Sequence, residues 1–208
     1  NRCQCERCRC ARKEDWFDNV LRAMYAPIHE AGKTLVVRDF VFDPQAHGEI
    51  AGVMERLPED VVISLKNTPH DYYPTFPDNS RIGNVGNHRQ WIEYFGWGVA
   101  MADLTGDYRK RMCYAREKGA TGVVIRTDWE SLDGHTAFGT PNRINLYAGA
   151  MLAADPGVSD RDIYLRFLRS ENWLKDGLMQ EETGEAARWF GRLMGGAWEA
   201  TRRMLYVQ

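Results

Sequence analysis

Residues 61–73 constrain the fold of this chain more than any other stretch: Val-Val-Ile-Ser-Leu-Lys-Asn-Thr-Pro-His-Asp-Tyr-Tyr. The run 61–65 is apolar or small throughout and reads as a buried strand. Lys66, Asn67, His70 and Asp71 follow at once, and Pro69 stops the strand by biasing Thr68 toward an extended backbone. A plain turn needs only Gly, Asn or Pro. A buried strand that delivers Lys, Asn, His and Asp to its C-terminal end is how parallel α/β proteins build active sites. The plainer alternative is a solvated loop that carries charge.

The rest of the chain supplies elements for such a sheet. Residues 14–31 place Trp16, Phe17, Val20, Leu21, Met24, Ile28 and Ala31 at helical spacing, and Gly32 is a C-terminal stop. Residues 34–42 are strand-like, and a helix over 48–57 leads into the strand at 61–65. A long loop, 67–89, is rich in Pro, Asn and Gly; loops of that length in compact domains are usually functional or disordered. A strand over 90–96, a helix over 107–118 and a second buried strand over 122–125 follow. The last strand ends in Arg126, Thr127, Asp128 and Trp129. Helices over 142–153, 159–170 and 184–205 close the sequence.

Strands alternating with helices, without a run of hairpin signals, argue for a parallel sheet wrapped by helices. Four strands are half of an eight-stranded barrel, which typically takes about 250 residues. The expected fold is therefore α/β, a (β/α)8 TIM-barrel-like arrangement represented by its C-terminal half plus C-terminal helices. The divisions are a Cys-rich loop over 1–12, barrel half-units over 13–155 and a helical segment over 156–208. A small doubly wound domain is the alternative.

Composition excludes several function classes. Twenty-seven basic against 29 acidic residues leave a net charge of −2, too balanced for a nucleic-acid footprint or an anionic membrane surface. No apolar run approaches the ~18 residues of a membrane span. The chain begins Asn-Arg-Cys-Gln, with neither an initiator Met nor a signal-like segment. It reads as a piece of something longer and is silent on compartment.

If the four strands run parallel, their C-terminal ends gather Arg38, Asp39, Lys66, Asp71, Glu93, Arg126 and Asp128. Converging acids and bases are costly to hold together unless they have chemistry to perform. Two carboxylates on neighbouring strands can divide into general acid and general base, and Arg with Lys suits an anionic substrate group. A ring of ion pairs closing the barrel mouth is the purely structural reading. His70, beside Asp71, can tune that carboxylate or bond a sugar hydroxyl. Trp91, Trp97 and Trp129 can stack on a sugar ring, although Trp91 within a strand suits the core better. Trp189, Phe190 and Trp198 read as helix packing.

The segments Val36-Val37-Arg38-Asp39-Phe40-Val41-Phe42 and Ile63-Ser64-Leu65-Lys66-Asn67-Thr68-Pro69-His70-Asp71 resemble the catalytic barrel of the family 67 α-glucuronidases. That family carries a tryptophan–arginine–x–phenylalanine–valine–tyrosine strand and a lysine–asparagine–glycine–proline–x–aspartate strand end. Weaker similarity runs through Asn145-Leu146-Tyr147-Ala148-Gly149 and Asp155-Pro156-Gly157-Val158-Ser159, so that most of 34–165 is covered. The resemblance implies an inverting glycoside hydrolase that removes a terminal uronic acid from a polysaccharide fragment, with no catalytic cofactor. By position it makes Arg38 and Lys66 the binders of the uronate carboxylate and Asp71 a water-activating carboxylate. Glu93, in Gln90-Trp91-Ile92-Glu93-Tyr94-Phe95, matches the first of two family glutamates; the second would fall near Val99. The family's general acid would lie upstream of Asn1.

The expected site thus comprises Asp71 and Glu93 as catalytic carboxylates, with Arg38, Lys66, Asn67, His70, Arg126, Asp128 and Trp129 around the substrate. The expected partner is a carbohydrate, not nucleic acid or a membrane, and a homo-oligomer is left open. A non-catalytic sugar-binding barrel, or an inactive piece of a glycosidase, is the alternative reading.

Cys3, Cys5, Cys8 and Cys10 form C-x-C-x2-C-x-C. Thiolates this dense suit a structural tetrahedral zinc, helped by Arg2, Arg7 and Arg9. Zinc modules usually separate their Cys pairs by a dozen or more residues, so two disulfides or free thiols are alternatives. His70 and His135 are the other candidate ligands. Four thiolates would leave a zinc no open position for catalysis. Cys113, on a helix face, reads as core.

Overall fold

The computed structural model describes residues 3–40, 44–69, 72–96, 102–127 and 137–205. Element order is α1 (Glu6–Cys10), α2 (Lys13–Glu30), β1 (Val36–Asp39), α3 (Pro44–Met54), β2 (Val62–Lys66), β3 (Arg89–Phe95), α4 (Thr105–Glu117), β4 (Ala120–Arg126), a 3-10 turn (Ala137–Gly139), α5 (Arg143–Ala154), α6 (Asp160–Ser170) and α7 (Gln180–Leu205). The fold is a mixed α/β one with a four-stranded sheet in the order β1-β2-β3-β4. β1 pairs with β2, and β2 with β3, in parallel. β4 runs the same way beside β3. Thr121 Oγ1 donates to the Gln90 carbonyl near one end, and the Gly96 N–H to the Arg126 carbonyl near the other.

Two compact units alternate along the chain, Asn1–Glu93 with Ala115–Val124, and Tyr94–Tyr114 with Ile125–Gln208. In the first unit, every residue of β2 is buried, as its apolar run predicts. Side chains alternate across a strand, so the register sorts the sheet into two faces. Val37, Ile63, Leu65 and Ile92 lie on one face with 6% exposure or less, and α3 packs against β1 with Ala51, Val53 and Met54 buried. Burying one such aliphatic side chain stabilises by about 1.5–3 kcal/mol. The opposite face carries Arg38, Ser64, Lys66, Trp91 and Glu93. α2 ends where the sequence places its stop, and Gly32 takes φ +66°, a conformation that favours glycine.

Some expectations change. β1 is shorter than the 34–42 run, α3 starts and ends earlier than 48–57, and the Cys-rich segment contains the one-turn helix α1 rather than only loop. β4 is not the buried strand its Gly-Val-Val-Ile run suggests. Val123 and Val124 point to opposite faces, yet they are 38% and 39% exposed. Gly122 on β4 carries Trp91 of β3, which is half-buried; a Cβ at 122 would overlap the indole.

In the second unit, α5 supplies a polar clip. Buried Asn145 accepts from the Leu104 N–H and donates to the carbonyls of Gly96 and Ala102, and Asn142 accepts from the Ala102 N–H. Ser159 caps α6 through the Asp162 N–H. Tyr147, Phe167, Trp173, Phe190 and Tyr164 join α5, α6 and α7 by edge and tilted ring contacts. Phe190 packs as expected, whereas Trp189 is exposed with the Arg192 guanidinium over its ring.

Candidate active site at the strand ends

Parallel strands of nearly equal register bring their C-terminal residues to one edge. The pairings Arg38↔Ser64↔Trp91 and Lys66↔Glu93 make two successive rows on the polar face. Arg38 and Glu93, on strands separated by β2, meet above Ser64. Arg38 Nε lies 3.0 and 2.8 Å from the two Glu93 oxygens, and its Nη2 lies 2.7 Å from Oε2. Ser64 Oγ donates to Oε1 at 2.8 Å. The Tyr72 hydroxyl accepts from Arg38 Nη2 at 2.7 Å and donates to Glu93 Oε2 at 2.6 Å. Tyr72 comes from the loop after β2, whose length the sequence reads as functional or disordered.

Lys66 is 4% exposed, and its ammonium sits 3.5 Å from the Phe40 ring centroid and 4.6 Å from that of Tyr72. Aromatic faces carry negative quadrupole charge, so this arrangement keeps a cation inside with less hydration. The strand end beneath it is fixed by Asn79, whose side chain donates to the Lys66 carbonyl and whose N–H donates to that of Asn67. The Asn67 N–H in turn donates to the Glu93 carbonyl at 3.0 Å. Among the described residues, Asn67 Oδ1 is buried without a hydrogen-bond partner.

The electrostatics follow from these contacts. Burial alone would raise the Glu93 carboxyl, but hydrogen bonds from Arg38, Tyr72 and Ser64 outweigh it and hold the group below its ordinary value. Glu93 is thus an anion at neutral pH and donates no proton there. The Tyr72 phenol is pushed up, by burial first and by the neighbouring Glu93 second, so it stays a donor. The arrangement can hold an ionised carboxylate and two cations in a fixed pattern at the mouth of a parallel sheet.

Of the residues singled out from sequence, Arg38, Lys66, Asn67 and Glu93 come together in the first unit. Asp39 does not join them. As the neighbour of Arg38 on a strand it faces the other way, where it pairs with His47 and Arg81; Arg81 also reaches Glu55 at 2.8 Å. Arg126 belongs to the second unit, with its guanidinium 5.9 Å from the Phe95 ring centroid. His70, Asp71, Trp97, Asp128, Trp129 and His135 lie outside the described residues. Sequence reasoning missed Ser64, Tyr72 and Asn79 as site residues. Period-2 alternation from Lys66 would have found Ser64; nothing local marks the other two.

At the N-terminus, the sulfurs of Cys3, Cys5 and Cys8 all lie within 4.8 Å of one another. Cys3, Cys5, Cys8, Cys10 and Cys113, all among the described residues, form no disulfide here. Cys10 stands outside the group, because on α1 it is two residues, about 200°, from Cys8. The Cys8 N–H and the thiols of Cys8 and Cys3 lower the Cys5 thiol, while the bonds Cys8 makes to Cys5 and Cys3 push its own up to about 11. Three nearby cysteines can therefore hold a metal ion. Compared with models of known families and with curated proteins, the chain matches none.

Proposed function

We propose that this chain is a glycoside hydrolase unit of the α-glucuronidase type, acting on a terminal sugar that bears a carboxylate. The observation that carries the reading is the Arg38–Glu93–Tyr72–Ser64 cluster with Lys66 beside it, all at the C-terminal edge of parallel strands. That edge is where α/β folds place their chemistry. The sheet order supports a barrel arc over a doubly wound domain. Each crossover adds its strand on the same side, whereas double winding reverses direction beside the first strand.

In this reading Lys66 and Arg38 bind the uronate carboxylate, and substrate competes with Glu93 for the Arg38 fork. Asp71, assigned by resemblance alone, activates water, and Glu93 stays ionised to stabilise the positive charge that develops at the sugar carbon. The cysteine cluster holds a structural zinc and takes no part in catalysis. A non-catalytic sugar-binding role is the second reading, favoured by the saturation of Glu93 with donors, which makes it a poor base.

Hydrolysis of uronic-acid-capped and neutral oligosaccharides, measured for wild type and Arg38→Ala, tests the proposal. The expected result is a loss of ~10²-fold or more in kcat/KM confined to the uronosides. An equal loss on both classes would sink the anion clamp. Uronoside binding without turnover would select the second reading.

A further inference from the structure

The zinc reading above treats the N-terminal cysteines as a closed site. The geometry points to a different centre: we propose that Cys3, Cys5 and Cys8 form a three-thiolate site for a zinc-like d10 ion, with its fourth position left to a small exogenous ligand. This rests on the reading that the cluster binds metal, and it deepens that reading.

Four observations carry it. The three sulfurs already lie within 4.8 Å of one another, and a tetrahedral ion with ~2.3 Å bonds asks for sulfurs roughly 3.8 Å apart. At most about 1 Å of closure by side-chain rotation completes the set, at a surface where Cys3 and Cys5 are exposed and Cys8 is half-buried. Among the described residues no fourth Cys, His, Asp or Glu atom joins the group. Cys10 is kept away by the helix itself, since it and Cys8 project from opposite sides of α1. Finally, Cys3 and Cys8 also line a cavity of about 230 Å³, walled by Trp16, Phe17 and Ile50 with Arg12 at its side. That volume equals several waters at ~30 Å³ each, enough for an imidazole or a small thiol.

The spacing C-x-C-x2-C accounts for the shape. Cys5 at the start of the helical turn and Cys8 three residues on share a face, and the extended backbone before the helix brings Cys3 back beside them. Binding one divalent ion replaces three S–H protons, giving a centre of net charge −1 and releasing three protons, so affinity rises with pH.

The experiment uses the reduced full chain, titrated with Cd²⁺ for thiolate charge-transfer absorbance and with Co²⁺ for the visible spectrum. One ion per chain is expected. Cys3→Ser, Cys5→Ser and Cys8→Ser should each weaken binding by more than the ~10–100-fold typical of losing an outer partner, and should reduce the Cd²⁺ band by about a third. Cys10→Ser and Cys113→Ser should change affinity by less than about two-fold. Imidazole added to the Co²⁺ form should shift the spectrum without releasing metal. If wild type binds no ion, the metal reading itself fails. If ion binds but Cys10→Ser is as damaging as Cys8→Ser, the site is a closed four-thiolate one and the three-thiolate centre is overturned. A Co²⁺ spectrum indifferent to imidazole overturns the open position.

Discussion

Arg38 on β1 and Glu93 on β3 are joined by a bidentate fork across the full width of β2, with Nη2 to Oε2 at 2.7 Å. Residues 55 positions apart are thus locked by the register of three strands, and Ser64 and Tyr72 complete the grip on the carboxylate. Glu93 is 12% exposed while Arg38 is 43% exposed, so the carboxylate is the partner with more to lose.

Glu93→Gln should therefore destabilise the fold by about 1.5–3 kcal/mol, the range for hydrogen bonds to a charged group. Arg38→Ala should cost less, because Ser64 and Tyr72 still serve the anion. Urea unfolding of the two variants checks the order.

Stability should depend on acid through the same group. The Glu93 pKa is lower in the folded chain than in the unfolded one, so its contribution is present above the unfolded value, about 4.3, and is lost as pH falls through the folded value. Between pH 7 and pH 3 the stability gap between wild type and Glu93→Gln should shrink, measured as the urea midpoint at each pH. Tyr72 acts at the other end. Its folded pKa is raised, so its contribution is intact below about 10 and is lost as pH rises beyond that. Tyr72→Phe should remove the alkaline part of the dependence and weaken the acid part, because it also takes away one of the bonds that hold Glu93 low.

Asp39 offers a contrast on the opposite face. Its side chain is fully buried between His47 and Arg81. Asp39→Ala should cost about 1.5–3 kcal/mol, since it removes the charged hydrogen bonds to His47 and Arg81, while Arg81 keeps Glu55. Uronoside cleavage, per folded molecule, should stay within a few-fold of wild type, because the residue faces away from Glu93. A loss of ~10²-fold at unchanged fold would place Asp39 in the site after all.

Gly122→Ala should destabilise by about 1–3 kcal/mol through overlap with the Trp91 indole. The double change with Trp91→Leu should recover part of that loss, whereas adding Trp91→Leu to wild type should only destabilise. A thermodynamic cycle from thermal unfolding of the four proteins reads the coupling directly.

Lys66→Met should keep the packing between Phe40 and Tyr72 and leave stability within about 1 kcal/mol, yet remove the preference for uronosides over neutral glycosides. Calorimetric binding of free glucuronate to wild type and variant is the measurement.

Much of this was legible in the chain. The run Val61–Leu65 announces the central strand because a segment buried on both faces is almost wholly apolar or small, and Gly32 announces the end of α2 because few other residues accept its backbone. Lys66 and Asn67 were marked by the abrupt change from apolar to polar at a strand end. Asn79 and Tyr72 were not marked as site residues, since a hydrogen bond to a residue 13 or 21 positions away leaves no local trace; Ser64 was missed although it stands at period-2 spacing from Lys66. β4 was misjudged for a related reason: an apolar run fixes β preference but not which neighbours cover it, and Val123 and Val124 remain partly exposed.

The sequence by itself determined that this chain makes a parallel sheet with helices and that charge collects where its strands end. Both follow from local periodicity and turn chemistry. Only the tertiary structure decided that Arg38 reaches Glu93 while its neighbour Asp39 does not, and that three of four clustered cysteines converge. Strand register and the rotation of a helical turn set those outcomes, and each is a relation between segments or faces that a one-dimensional spacing does not contain.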